Sequence, residues 1–161
     1  MINKILFVCL GNICRSPTAE GVMRALVLDA GLQDSIELDS AGTGGWHVGS
    51  PPDKRSAAAA QARGITLDGG ARQVTPEDFD EFDLILAMDR SNLRELRSIA
   101  PGPAARAKVR LLREFDPASA DAVDLDVPDP YYGGPSGFDD VLDLVQAACR
   151  GLLEEIRAEH A

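Results

Sequence analysis

Cys9 and Arg15 stand six positions apart, with five residues between them, in the stretch Val8-Cys9-Leu10-Gly11-Asn12-Ile13-Cys14-Arg15-Ser16. A cysteine and an arginine at that spacing can form a nucleophile inside an anion cradle. The attacking species is a thiolate, and a helix N-terminus together with a nearby cation favours it over the thiol. Arg15 offers a planar fork of donors that grips two oxygens of a tetrahedral oxyanion and still fits a phosphoryl group as it flattens. Inward-turned amides from Leu10, Gly11, Asn12, Ile13 and Cys14 would complete the cradle. Gly11 admits the positive φ that such a tight loop needs, and Asn12 can brace the loop or take up the left-handed conformation itself.

These groups need a strand before them and a helix after. Ile5-Leu6-Phe7-Val8 is a short apolar run suited to a strand buried on both faces of a parallel sheet. Ser16 and Pro17 read as an N-cap and first helical residue, followed by apolar Ala19, Val22, Met23, Leu26, Val27 and Ala30, with Gly31 as the stop. The loop therefore joins the C-terminal end of a strand to the start of a helix, which is where open α/β sheets bind anions. Further on, Ile36–Ser40, Leu84–Met88 and Val109–Leu112 read as strands, and Asp53–Arg63, ending before Gly64, as an alanine-rich helix. Ala41–Pro52 and Glu114–Pro135 are glycine- and proline-rich loops. Ala71–Thr75 suits a brief extended piece, and Thr75-Pro76-Glu77-Asp78 opens a short helix. Asp89 is placed equally well to cap the helix of Leu93, Leu96 and Ile99, which Pro101 ends, or to reach the loop. Phe138, Val141, Leu142, Val145, Cys149, Leu152 and Ile156 define a long amphipathic terminal helix, with Cys149 on its apolar stripe. The order predicts an α/β fold: one doubly wound, four-stranded, mostly parallel sheet with helices on both faces.

A chain of 161 residues, 45% hydrophobic and 26% charged, suits one soluble globular domain over its whole length. Its net charge of −10 argues against nucleic-acid binding, which needs a basic face. Residues 114–161 hold 12 of the 26 acidic residues and 2 of the 16 basic ones, so an anionic substrate is expected to approach the amino-terminal two-thirds. No apolar run reaches the roughly 20 residues of a membrane span, and the start, MINKILFVCL, lacks signal-peptide features, so a cytoplasmic protein without membrane contact is expected. Three cysteines do not suggest a disulfide framework. Cys9 and Cys14, and the isolated His47 and His160, lack zinc-ligand spacing, and no nucleotide-binding loop is present, so neither metal nor cofactor is expected.

VCLGNICRSPTAE from Val8, DSAGTGGWHVG from Asp39 and DPYY from Asp129 resemble, in order, the three signature segments of low-molecular-weight protein tyrosine phosphatases. The resemblance implies a metal-free phosphatase acting on phosphotyrosine or small aryl phosphates through a phosphocysteine, with inorganic phosphate as product and inhibitor. It implies Cys9 as nucleophile, Arg15 as phosphate clamp, Ser16 as a donor easing departure of the thiolate, and Asp129 as general acid. It also implies Asn12 and Ser40 as braces of the loop, and Cys14 as the partner that traps oxidised Cys9 in a disulfide. The chemistry agrees with those roles: an aryl oxide needs a proton to leave, and the attacking water must lose one, so one carboxyl group can serve both steps. Trp46, Tyr131 and Tyr132 can wall a slot for a flat ring, while Leu10 and His47 tune the choice of substrate. Exposed aromatics at the rim are compatible with a monomer or weak self-association. The readings kept beside this one are a thiol-relay arsenate reductase, which needs further relay cysteines that the middle of the chain lacks, a phosphoarginine phosphatase, and a binding module that recognises phosphate without reacting.

Overall fold

The computed structural model describes residues 1–119, 122–131 and 137–160. Strands β1 (Lys4–Cys9), β2 (Glu37–Gly42), β3 (Leu84–Ala87) and β4 (Val109–Leu111) form one sheet in the order β2-β1-β3-β4, with every pairing parallel. Side chains alternate across a strand, and β1 divides its own between two cores. Ile5, Phe7 and Cys9 face α1 (Arg15–Asp29) and α6 (Gly137–His160), packing against Ala19, Val22, Met23, Val141, Val145 and Leu152. Leu6 and Val8 face the opposite side, with Ile85, Phe79, Phe82 and Leu96. Those residues include members of α3 (Asp78–Glu81) and α4 (Arg90–Ile99), so both sheet faces are covered. Short α2 (Lys54–Gln61) packs on α6. The observed architecture is the α/β sheet that the strand and helix order predicts.

Three local details differ from the expectation. Helix α1 begins at Arg15, its N-cap is Cys14 without a side-chain cap bond, and Ser16 lies inside the first turn. Its hydroxyl is engaged with Cys9 and Asn12 instead. A five-residue helix α5 (Pro103–Ala107) follows Gly102; it buries no residue, so no apolar periodicity announces it. The segment after β4 is not all irregular, because Leu112–Phe115 and Pro117–Ser119 form 3-10 turns. Among the described residues, no helix is long and apolar enough to cross a membrane.

Candidate active site

Cys9 ends β1, and the loop to α1 wraps its sulfur. The loop's carbonyls are turned away from the centre: those of Cys9 and Leu10 accept from the N–H groups of Thr43 and Gly44 (both 2.9 Å), and that of Ile13 from Asp53 (2.7 Å). The amide of Asn12 points inward and donates to Cys9 Sγ at 3.3 Å. Among the described residues, the N–H groups of Gly11, Ile13 and Cys14 have no protein acceptor. A ring of unfilled donors at a helix N-terminus is an anion site by construction.

The positive φ falls on Asn12 (57°), and Gly11 is absent from the positive-φ residues, contrary to the expectation for Gly11. What position 11 needs is space: a Cβ there would lie 3.0 Å from His47 Cδ2. Gly42 at the end of β2 is needed for the same reason, since a Cβ would come within 2.7 Å of the Leu10 carbonyl.

Asn12 is the hub behind the loop. The backbone N–H of Arg72 donates to its Oδ1 (2.9 Å), which fixes the amide's orientation. Nδ2 therefore spends its hydrogens on Ser16 Oγ (2.8 Å) and Ser40 Oγ (3.0 Å). Each hydroxyl, already accepting, must send its own hydrogen elsewhere. Ser40 donates to Glu20 Oε1 at 2.7 Å, and Ser16 has Cys9 Sγ at 3.0 Å, closer than the Ala41 carbonyl at 3.4 Å. The chain of donors thus ends on the sulfur. Glu20 and Arg72 were not singled out from the sequence. Glu20 had a signal, standing four residues after Ser16 on one helical face; Arg72, in an irregular segment, had none.

Arg15 is 3% exposed. Its Nη1 donates to Asp89 Oδ2 (2.6 Å) and to the Val127 carbonyl (3.0 Å), while Nη2 lies 3.7 Å from Asp129 Oδ2. Burial opposes its charge, but a charged Cys9 and the carboxylates of Asp89 and Asp129 outweigh that and hold its pKa above the ordinary value. Asp89 performs both tasks foreseen for it: Oδ1 caps α4 by accepting from Asn92 N–H (2.7 Å) as Oδ2 holds Arg15. Asp129, 112 residues beyond Pro17 in sequence, reaches the mouth of the pocket, where Oδ1 accepts the Tyr131 N–H at 3.0 Å.

Cys9, Leu10, Gly11, Ile13, Cys14, Arg15, Trp46, His47, Asp129 and Tyr131 together line a pocket of about 340 Å³. Trp46 is 73% exposed and forms the rim. His47 and Tyr131 approach to 6.3 Å between ring centroids, and Arg55 lies over Tyr131 at 5.2 Å. Tyr132, expected as a second tyrosine wall, lies outside the described residues. Cys14 and Cys9 are both free thiols, and Cys149 is buried in the α6 core. Burial pushes the Cys14 thiol up to about 12, against the opposing pull of the Ser56 hydroxyl.

A parallel sheet with a cysteine, a buried arginine and a carboxylate converging on a strand-to-helix anion loop defines a cysteine-based class of phosphate-handling proteins. Residues 4–161 match the family model described as low molecular weight phosphotyrosine protein phosphatase. A low molecular weight protein-tyrosine-phosphatase of Streptomyces coelicolor is 53% identical over 159 residues, covering 99% of this chain and 96% of that protein. The human low molecular weight phosphotyrosine protein phosphatase is 45% identical over 153 residues, 94% of each. Among solved structures, a protein tyrosine phosphatase from Entamoeba histolytica with Hepes in its active site superposes with a TM-score of 0.92, at 38% identity and 99% coverage of both chains. The chain belongs to the low molecular weight phosphotyrosine protein phosphatase family and is a hydrolase.

Proposed function

We propose that this chain is a single-domain, cytoplasmic protein tyrosine phosphatase that hydrolyses phosphotyrosine and aryl phosphates through a phosphocysteine at Cys9, without metal or cofactor. The observation that carries the reading is that Cys9, Arg15 and Asp129 line one pocket, over a loop whose Asn12 amide donates to the sulfur and whose Gly11, Ile13 and Cys14 amides have no acceptor among the described residues. In the first step the Cys9 thiolate attacks phosphorus and the bond to the aryl oxygen breaks, while protonated Asp129 gives that oxygen its proton. Arg15 and the loop amides hold the three other phosphoryl oxygens as they flatten. Aspartate 129, now a carboxylate, then takes a proton from a water that attacks phosphorus. The P–S bond breaks, inorganic phosphate leaves, and the Ser16 hydroxyl donates to the departing sulfur from 3.0 Å. Product phosphate occupies the same cradle and inhibits. Rim residues Trp46, His47 and Tyr131, with Leu10, suit a flat aromatic ring, which favours phosphotyrosine over phosphoarginine.

Cys14 lines the same pocket and is assigned to redox protection. Peroxide converts Cys9 to the sulfenic acid with loss of water, and Cys14 then displaces hydroxide, which leaves as water, forming the disulfide. The test of the main reading is turnover of para-nitrophenyl phosphate in the presence of chelator. Wild type is expected to be active, Cys9→Ser inactive, and Asp129→Ala severely slowed; undiminished turnover by Cys9→Ser refutes the covalent route. For the redox assignment, mass analysis after peroxide is expected to show a Cys9–Cys14 link, and overoxidised Cys9 beside free Cys14 refutes it.

A further inference from the structure

A second hollow opens on the far side of the ridge formed by Leu10 and Trp46. It measures about 210 Å³, is lined by Thr43, Gly44, Ser91 and Glu95, and shares Leu10 and Trp46 with the pocket above Cys9. Ser91 and Glu95 lie four apart on α4, so both project from one face of the helix. Both are exposed. Among the described residues the Glu95 carboxylate has no ion pair, and the one side-chain hydrogen bond to Glu95 goes from the Ser98 hydroxyl to its main-chain carbonyl. The nearby cation Arg90 is engaged with Asp126 and the Val123 carbonyl. Arg94 projects about 100° round the helix from Glu95.

A phosphotyrosine held by its phosphate at Cys9 must rise past Leu10 and Trp46, and the chain carrying it leaves across that ridge. Consecutive Cα atoms are about 3.8 Å apart, and side chains of an extended peptide alternate in direction. A residue two positions from the phosphotyrosine, on the same side of the extended peptide, can therefore lower its side chain into the second hollow. Leu10 and Trp46 provide an apolar wall for a methylene stem, and Glu95 with Ser91 provides a carboxylate and a hydroxyl for a cationic head. An acidic side chain in the same place would meet the like charge of Glu95.

Resting on the phosphotyrosine reading above, we infer that Thr43, Gly44, Ser91 and Glu95 form a second substrate subsite that takes a lysine or arginine flanking the phosphotyrosine. The substrate class is thus phosphotyrosine in a basic context. The experiment compares short phosphotyrosine peptides that differ only in carrying Lys, Gln or Glu two positions from the phosphotyrosine. Phosphate release gives kcat/KM for wild type, Glu95→Gln, Glu95→Lys and Ser91→Arg, each normalised to its own turnover of para-nitrophenyl phosphate, which has no flanks. Wild type is expected to prefer the Lys peptide over the Glu peptide by about two- to fivefold, the range of a single exposed ion pair. Glu95→Gln is expected to abolish the preference, Glu95→Lys and Ser91→Arg to invert it, and high salt to compress it. Equal wild-type rates on all peptides, or the same Lys-to-Glu ratio in wild type and Glu95→Lys, overturn the subsite while leaving the phosphatase reading intact. Absence of wild-type turnover of para-nitrophenyl phosphate instead refutes the phosphatase reading itself.

Discussion

Asp89→Asn is the substitution that isolates how the buried arginine is held. Asp89 supplies two acceptors in opposite directions, Oδ2 to Arg15 Nη1 at 2.6 Å and Oδ1 to Asn92 N–H at 2.7 Å. Asparagine has the same shape but one acceptor oxygen, so one of the two contacts becomes donor against donor. Keeping the cap leaves Arg15, 3% exposed, with the Val127 carbonyl and a carboxylate 3.7 Å away. Removing one partner of a fully buried ion pair costs about 3–5 kcal/mol. With Asp89 itself partly exposed and Arg15 retaining two contacts, a loss of about 2–3 kcal/mol is appropriate. For a chain of this size that corresponds to a fall in Tm of about 4–12 °C. The same energy withdrawn from the transition state lowers kcat/KM for para-nitrophenyl phosphate by about 30- to 150-fold. Asp89→Ala removes the cap as well and should cost about 1 kcal/mol more. Thermal unfolding and steady-state kinetics on the two variants decide the matter. If Asp89→Asn keeps its Tm within about 1 °C and its kcat/KM within about twofold of wild type, the charge on Asp89 does not hold Arg15 and the reasoning fails.

Other consequences follow from the same geometry. Asn12→Gly preserves the backbone at φ 57° but deletes the side chain's three hydrogen bonds, so kcat is expected to drop at least about tenfold; Asn12→Ala loses the same bonds and about 1–2 kcal/mol more from left-handed strain. Equal stability of the two would refute the strain argument. Helix propensity alone makes Gly151→Ala stabilising by about 1 kcal/mol. A Cβ there would stand 1.7 Å from the Phe115 carbonyl oxygen, so denaturant unfolding should show the opposite sign. Cys14, with its thiol pushed up to about 12 from 9.0, stays neutral at ordinary pH, so in a Cys9→Ser background iodoacetamide should label it slowly until strongly alkaline conditions. Above pH 9.0 the unfolded chain gives up this proton while the folded chain keeps it, so Cys14's contribution to stability is intact below that pH and is lost as pH rises toward about 12. Rapid labelling of folded Cys14 at pH 8, or a stability that rises between pH 9.0 and 12, would contradict its burial.

The strands, the long helices and the identity of the anion loop were legible in the sequence because local chemistry decides them. An apolar run such as Ile5–Val8 has few uses other than a buried strand, and the stripe from Phe138 to Ile156 repeats at the helical period whatever it packs against. The spacing of Cys9 and Arg15 likewise carried its chemistry within nine residues of chain. What surrounds them was decided by the fold. Ser16 had every local mark of an N-cap, but a hydroxyl 3.0 Å from a cysteine sulfur and 2.8 Å from an asparagine amide finds better use there than at the helix end. Gly11 and Asn12 both suited the left-handed position, and only the approach of His47 to position 11 separates a glycine kept for room from an asparagine kept for its turn. Arg72 and the Val127 carbonyl come from distant, irregular segments with no periodicity to mark them. They meet the loop because parallel pairing brings the C-terminal ends of β1, β2 and β3 to one edge. Sequence determined which atoms can react; the sheet's common polarity decided which others hold them still.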